Sequence, residues 1–217
     1  MPAFVYDNAE YMQQIGTLNM STDTMKWMLV TNAYAAAKSD QFVSAASSNE
    51  ISATGYTGGF NGASRLSAPR TIVNDTSANI VRTVFSGNAV WSALGGASNA
   101  TIAAAVLIKE ITNDGASILV GYFPIGTTLT GTTASSSPTV TGLSTTIGIS
   151  VGMAVSGTGI TGGTTVSAIV SGTSVTLSGN ATASGSTSLT FGTPITTNGS
   201  GITLTVDGSN GNLTAIL

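Results

Sequence analysis

Neither cysteine nor histidine occurs anywhere in the 217 residues, and charge is scarce, with six Lys and Arg against nine Asp and Glu. Without cysteine there can be no disulfide, and the redox compartment stays open. Without histidine the chain lacks the usual general base and the commonest metal ligand, and a Ser-His-Asp arrangement is impossible. Charged residues are 7% of the chain, against roughly 25% in an average soluble domain. A net charge of −3 with no basic stripe to displace phosphate counterions predicts no nucleic-acid partner. The longest apolar run, Ile102 to Ile108, is far shorter than the about 20 residues a membrane helix needs, so no membrane partner is expected. The opening MPAFVYDNAEYMQQ has neither a basic nor an apolar leader region and predicts no secretory signal; the product is expected to stay in the cytoplasm of the cell that makes it.

Gly, Ser and Thr fill the space that charge leaves. The extreme case is Thr128 to Phe191, which holds no Lys, Arg, Asp or Glu. Short runs of Val, Ile, Leu and Thr alternate there with Gly, Ser, Asn and Pro, the punctuation of a small all-β module. A flexible linker would not carry regularly placed β-branched residues. No side chain in the segment could hold a metal or act as a strong base. Its surface works through shape and hydroxyl groups.

The rest of the chain also reads as β. Tyr6 to Ile15 predicts a short helix with Tyr11, Met12 and Ile15 on one side and Gly16 at its end. Thr24 to Thr31 predicts a strand covered on both faces, since Lys26 is its only charge. Ala33 to Ser48 predicts a long loop with one helical turn through Ala35, Ala36 and Ala37. Arg65 to Val73 reads as a strand broken by Pro69, followed by strands at Asn79 to Phe85 and Ala89 to Ala93, with Trp91 a core residue. Thr101 to Ile111 and Ser117 to Phe123 flank Asn113-Asp114-Gly115, a hairpin signal. Gly201 to Val206 and Asn212 to Leu217 form a closing strand pair. The expected fold is mainly β: a β-sandwich or barrel-like platform with a short N-terminal helix and an inserted small all-β module. The platform spans residues 1–127 plus 192–217, and the module spans 128–191. A sequential arrangement of domains is the alternative.

The inventory of reactive groups points away from catalysis. Ser and Thr abound, but Lys26, Lys38 and Lys109 sit in no motif that would activate them. Asp7, Glu10, Asp23, Asp40, Glu50, Asp75, Glu110 and Asp114 could in principle form the paired carboxylates of a glycosidase, but each reads as a turn, cap or surface charge. GYTGGF and SGTGITGG lack the Lys and helix of a phosphate loop and read as turns. No enzyme, no catalytic residue, no metal and no cofactor is expected.

Two stretches carry a resemblance. YDNAEYMQQIGTLNMSTDTMKWMLVTNAY, followed by EISATGYTGG, is similar to small virion proteins encoded in tailed-bacteriophage structural gene blocks. Their opening F/Y-D … G-x-I/L-x-L … D-x-I-K-V-A-L-V-T-x-x-Y precedes an E-I/V-x-G-x-G-Y-T-x-G-G element. Tyr6, Asp7, Gly16, Leu18, Met20, Asp23, Met25, Lys26, Leu29, Val30, Thr31 and Tyr34 match the first, and Glu50, Ile51, Gly55, Tyr56, Thr57, Gly58 and Gly59 the second. Trp27-Met28 and Ala53 depart from it. The segment from Thr139 to Phe191 resembles a β-module recurrent in phage and bacterial surface proteins. The resemblance implies a virion structural protein; the leading expectation for its place is a capsid decoration (cement) protein on the capsid surface, assembled in the host cytoplasm. Its implied partners are the major capsid protein and further copies of itself, as a homo-oligomer and specifically a trimer. Phe4, Val5, Tyr6, Tyr11 and Met12 are the candidate contacts with shell or neighbour. A tail or neck component (connector or tube) is the first alternative, and a host-surface or glycan adhesion module the second.

Overall fold

The computed structural model describes residues 4–76, 80–146, 149, 151–207 and 212–216. It is mainly β. In chain order the elements are β1 (Phe4–Val5), α1 (Asp7–Gln14), β2 (Lys26–Val30), α2 (Ser44–Ser47), β3 (Leu66–Ser67), β4 (Arg70–Asp75), β5 (Ile80–Phe85) and β6 (Ala89–Trp91). Then come β7 (Thr101–Ile102), β8 (Ala104–Lys109), β9 (Ile118–Pro124), β10 (Thr127–Thr133), β11 (Thr139–Thr141) and β12 (Val155–Gly157). The last six are β13 (Val166–Ser171), β14 (Ser174–Leu177), β15 (Gly185–Phe191), β16 (Ile195–Thr196), β17 (Ile202–Asp207) and β18 (Asn212–Ile216). They fall into two compact units, one of Phe4–Phe123 with Pro194–Leu217, the other of Pro124–Thr193.

The first unit is organised by a five-stranded sheet in the order β1-β9-β8-β2-β3. β2 pairs with β8 from Lys26↔Ile108 to Val30↔Ala104. Its Trp27, Met28, Leu29 and Val30 are all buried, as a central strand covered on both faces requires. Ala104, Ala105, Val106, Leu107 and Ile108 of β8 are likewise all buried. Trp27 packs against Phe85 and Phe123, with ring centroids 5.0 and 5.4 Å away. Trp91 is buried too, and its indole N–H donates to the Ser64 carbonyl at 2.8 Å. The closing strands pair as a β18-β17-β6 sheet, and β4 pairs with β5 as a two-stranded ribbon.

Several local expectations are corrected. The helix α1 forms and Gly16, at φ +75°, ends it, but the side it buries carries Ala9, not Tyr11 and Ile15. The cause lies at its entry: Tyr6 N–H donates to Val120 O and Asp7 N–H to Lys38 O, which fixes the helix rotation with its smallest side chain inward. The helical turn in the long loop falls at Ser44–Ser47, not at Ala35 to Ala37. The run Thr101 to Ile111 is split at Ala103 into β7, which pairs with β16, and β8, which pairs with β2. Asp114-Gly115 does not form a two-residue hairpin turn. The connection runs from Glu110 to Ser117, and Asn113 O receives the N–H groups of Ala116 and Ser117.

The second unit is a six-stranded antiparallel sheet in the order β12-β15-β10-β11-β14-β13. Its core is its own, built from Leu129, Val140, Val155, Val175, Leu189 and Phe191 among others. β10 shows the cause in its sequence, since TTLTGTT alternates strictly between buried and exposed. At Gly131 a Cβ would press on Val140, Leu143 and Leu189, so the position takes no larger residue without moving that core. β13, at one edge, carries two register shifts that interrupt its outer ladder, which discourages edge-to-edge pairing.

Candidate functional site

The five candidate contact residues occupy different environments. Phe4 and Val5 lie in β1, opposite Tyr122 and Gly121 of β9. Phe4 is half-buried and stacks on Tyr122, with ring centroids 5.3 Å apart. Tyr6 is fully buried, and its hydroxyl shares a 3.0 Å hydrogen bond with that of Tyr34, which in turn donates to Asp40 at 2.9 Å. Burial first, then the Tyr34 bond and nearby charge, push the Tyr6 phenol far up. It is a core residue and offers nothing to a partner. Tyr11 is 57% exposed, Val5 is exposed to a lesser degree and Met12 is half-buried. Ile15 lies one helical turn beyond Tyr11 and is also exposed, so α1 turns an apolar pair to solvent.

The densest polar arrangement lies within the first unit, around Arg65. Its side chain is completely buried, yet every one of its N–H groups can be matched with an acceptor. Nε and Nη2 bind the two oxygens of Glu50 at 3.0 and 2.8 Å. Nη1 and Nη2 bind Asp114 at 2.7 and 3.1 Å, and Nη1 also reaches Glu110 at 2.9 Å. Glu110 takes a further ion pair from Lys26 on β2 and the backbone N–H of Asn61 at 3.1 Å. Glu50 takes the Tyr56 hydroxyl at 2.9 Å and the Gly59 N–H at 2.9 Å. Burial alone would lower the Arg65 pKa, but the bonds from Glu50 and Asp114 lead a set that raises it. Burial likewise works to raise the Glu110 carboxyl; bonds from Lys26, Arg65 and Asn61 outweigh it and hold it below the ordinary range.

This cluster corrects the reading of Glu50 and Glu110 as turn, cap or surface charges; Asp114 does lie in a turn, and its carboxylate also binds Arg65. All three are counter-charges that allow an arginine to be buried. It also explains GYTGGF, whose glycines fold against the Glu50 carboxylate: a Cβ at Gly58 would lie 2.7 Å from Glu50 Cδ. The three carboxylates converge on the guanidinium, and among the described residues no group of His, Cys, Asp or Glu is placed to hold a metal ion. Sequence reasoning placed Arg65 only at the start of a strand and gave it no role. The available signal was the rarity of charge: in a chain with six Lys and Arg, an arginine beside a glycine-rich turn and an unplaced Glu is a candidate for burial.

In the second unit the outward side of the sheet is a field of hydroxyls. Thr128, Thr130 and Thr132 of β10 point away from the core, opposite Thr190, Ser188 and Ser186 of β15. Thr128 and Thr190 share a 3.0 Å hydrogen bond. Ser156 of β12 and Thr141 of β11 extend the field on either side. The entry and exit strands of the unit, β10 and β15, pair along their whole length from Thr127↔Phe191 to Thr133↔Gly185.

Comparison with known proteins identifies no relative: no family model, curated protein or solved structure matches the chain.

Proposed function

We propose that this chain is a non-enzymatic structural protein of a tailed-bacteriophage virion: a capsid decoration (cement) protein that binds the assembled shell and displays its charge-free module. The observation that carries the reading is the full-length pairing of β10 with β15, which brings the two ends of the unit Pro124–Thr193 to neighbouring positions. A displayed insert needs that arrangement, because only then can it be accommodated at a loop tip without spreading its host. The resemblance of the Tyr6 to Gly59 region to small virion proteins supports the same reading. So does the use of the densest charge cluster as internal structure around Arg65.

A cement protein stabilises a shell by binding the assembled state and not its free subunits, a linkage effect that grows with the logarithm of concentration over Kd. The exposed pair of Tyr11 on α1 and Ile15 just past its end, with Val5 and Met12, is the contact this reading assigns. The partners are the major capsid protein and further copies of the chain, arranged as a trimer. The test is to add purified protein to shells that lack it and measure co-sedimentation and the temperature at which the shells open. Binding to shells with a raised opening temperature supports the proposal. Binding to tails or necks alone would move the protein there, and binding to host-cell glycans alone would make the module an adhesin.

A further inference from the structure

The segment Thr57–Ser64 is attached to its unit by an unusual set of bonds. Its backbone hydrogen bonds are local: Gly62 N–H to Gly59 O, Ser64 N–H to Thr57 O, and Arg65 N–H back to Gly62 O. The Thr57 N–H is also kept within the segment, by the Ser64 hydroxyl. Three hydrogen bonds tie it outward among the described residues. Gly59 N–H donates to Glu50 Oε2 at 2.9 Å, Asn61 N–H donates to Glu110 Oε1 at 3.1 Å, and Ser64 O accepts the Trp91 indole N–H at 2.8 Å. Both flanks are held by the same acids, through Tyr56 to Glu50 on one side and Arg65 to Glu50, Glu110 and Asp114 on the other. Two of the three direct ties and the Arg65 flank therefore depend on carboxylates, whereas on the other flank the Tyr56 hydroxyl also accepts the Leu29 N–H of β2 at 3.2 Å.

We propose that Thr57–Ser64 is an acid-released flap: protonation of the Glu110 carboxyl frees its Asn61 end while the five-stranded sheet beside it stays formed. A backbone N–H bonded to an ionised acceptor makes a bond roughly twice as strong as a neutral one, and protonation of Glu110 removes that advantage from the Asn61 tie and weakens the bond from Arg65 Nη1 to the same carboxyl. The groups facing the site are Glu50, Glu110, Asp114, Arg65, Lys26 and Tyr56. At neutral pH three carboxylates face two cations. Once Glu110 is neutral, two cations face two carboxylates, and the negative surplus that holds the buried cluster together is gone. The β2–β8 ladder contains no carboxylate and rests on backbone pairing and buried apolar side chains. Asp23, paired with Lys109, lies outside this cluster.

The sign follows from Glu110. Its folded-state carboxyl is held below the ordinary glutamate value of about 4.3. Its contribution is therefore complete above that value and is lost as pH falls through the lower folded one. Release belongs below the ordinary glutamate value.

Hydrogen exchange on the full chain, followed by mass spectrometry from pH 7 to pH 3 and corrected for intrinsic rates, tests the flap. The expected result is at least ten-fold loss of protection in peptides spanning 57–64 at a pH where peptides spanning 104–109 keep theirs. In Glu110→Gln the flap should already exchange faster at pH 7, with a flattened pH response. Simultaneous loss of protection in both segments, or a flap that stays protected until the sheet opens, overturns the proposal. Should Glu110→Gln fail to fold, the comparison of the two segments in the unmodified chain decides the matter.

Discussion

Arg65 and Glu50 meet through two parallel bonds, Nε to Oε1 at 3.0 Å and Nη2 to Oε2 at 2.8 Å, with the arginine side chain wholly buried. Removing one partner of such a pair leaves charge uncompensated in the interior. Arg65→Ala strands three carboxylates and should cost about 3–5 kcal/mol. Arg65→Lys keeps the charge but offers three donors in place of five, and should cost about 1–3 kcal/mol for the acceptors it abandons. Tryptophan fluorescence in urea reads this directly, because both tryptophans, Trp27 and Trp91, belong to the first unit.

The tight turn that follows GYTGGF gives a second prediction. A Cβ at Gly62 would overlap the carbonyl oxygens of Thr57 and Gly58, which are backbone and cannot swing aside. Gly62→Ala should therefore destabilise by about 1–3 kcal/mol, the range for overpacking. Gly172 has nothing within 4 Å of its would-be Cβ, and Gly172→Ala should stay within about 0.5 kcal/mol of the parent. Equal effects at the two positions in urea or thermal unfolding would contradict the packing argument.

The N-terminal segment separates folding from docking. Tyr6→Phe removes the hydroxyl that meets Tyr34 and should cost about 0.5–1.5 kcal/mol. Tyr11→Ser, at an exposed site, should stay within about 0.5 kcal/mol while lowering retention on shells several-fold. Deleting residues 1–12 would mix the two effects, since it also removes β1 from β9 and Tyr6 from the core. Paired stability and co-sedimentation measurements on the point variants distinguish them.

Legibility in the sequence tracked how local the cause was. The β class, the covered strand expected at Thr24 to Thr31, which forms over Lys26–Val30, the break at Pro69 and the helix end at Gly16 rest on residue type and period alone, and all four stand in the structure. The face of α1 did not follow from period, because bonds to Val120 and Lys38, distant in sequence, set its rotation. The Asp114-Gly115 signal misled because Asp114 is committed to Arg65, 49 residues earlier. The Arg65 cluster draws on residues 26, 50, 65, 110 and 114, and nothing in any one stretch announces their convergence.

The second unit has its own core, and a peptide of residues 124–193 should fold alone. Far-UV circular dichroism should show a cooperative β-type melt, and Leu189→Ala should lower its stability by about 2–5 kcal/mol. In the full chain the same substitution should leave the urea transition seen by tryptophan unchanged, since neither tryptophan belongs to this unit. A shifted tryptophan transition would show that the two units unfold as one.

Binding to the assembled shell tests the account most directly. Purified chain is mixed with mature shells lacking it, with unassembled capsid subunits, and with isolated tails, and each mixture is sedimented and its bound copies counted. The account predicts saturable binding to shells in a fixed ratio to the capsid subunit, with little binding to free subunits or tails. Binding to tails alone, or to none of the three, would contradict it.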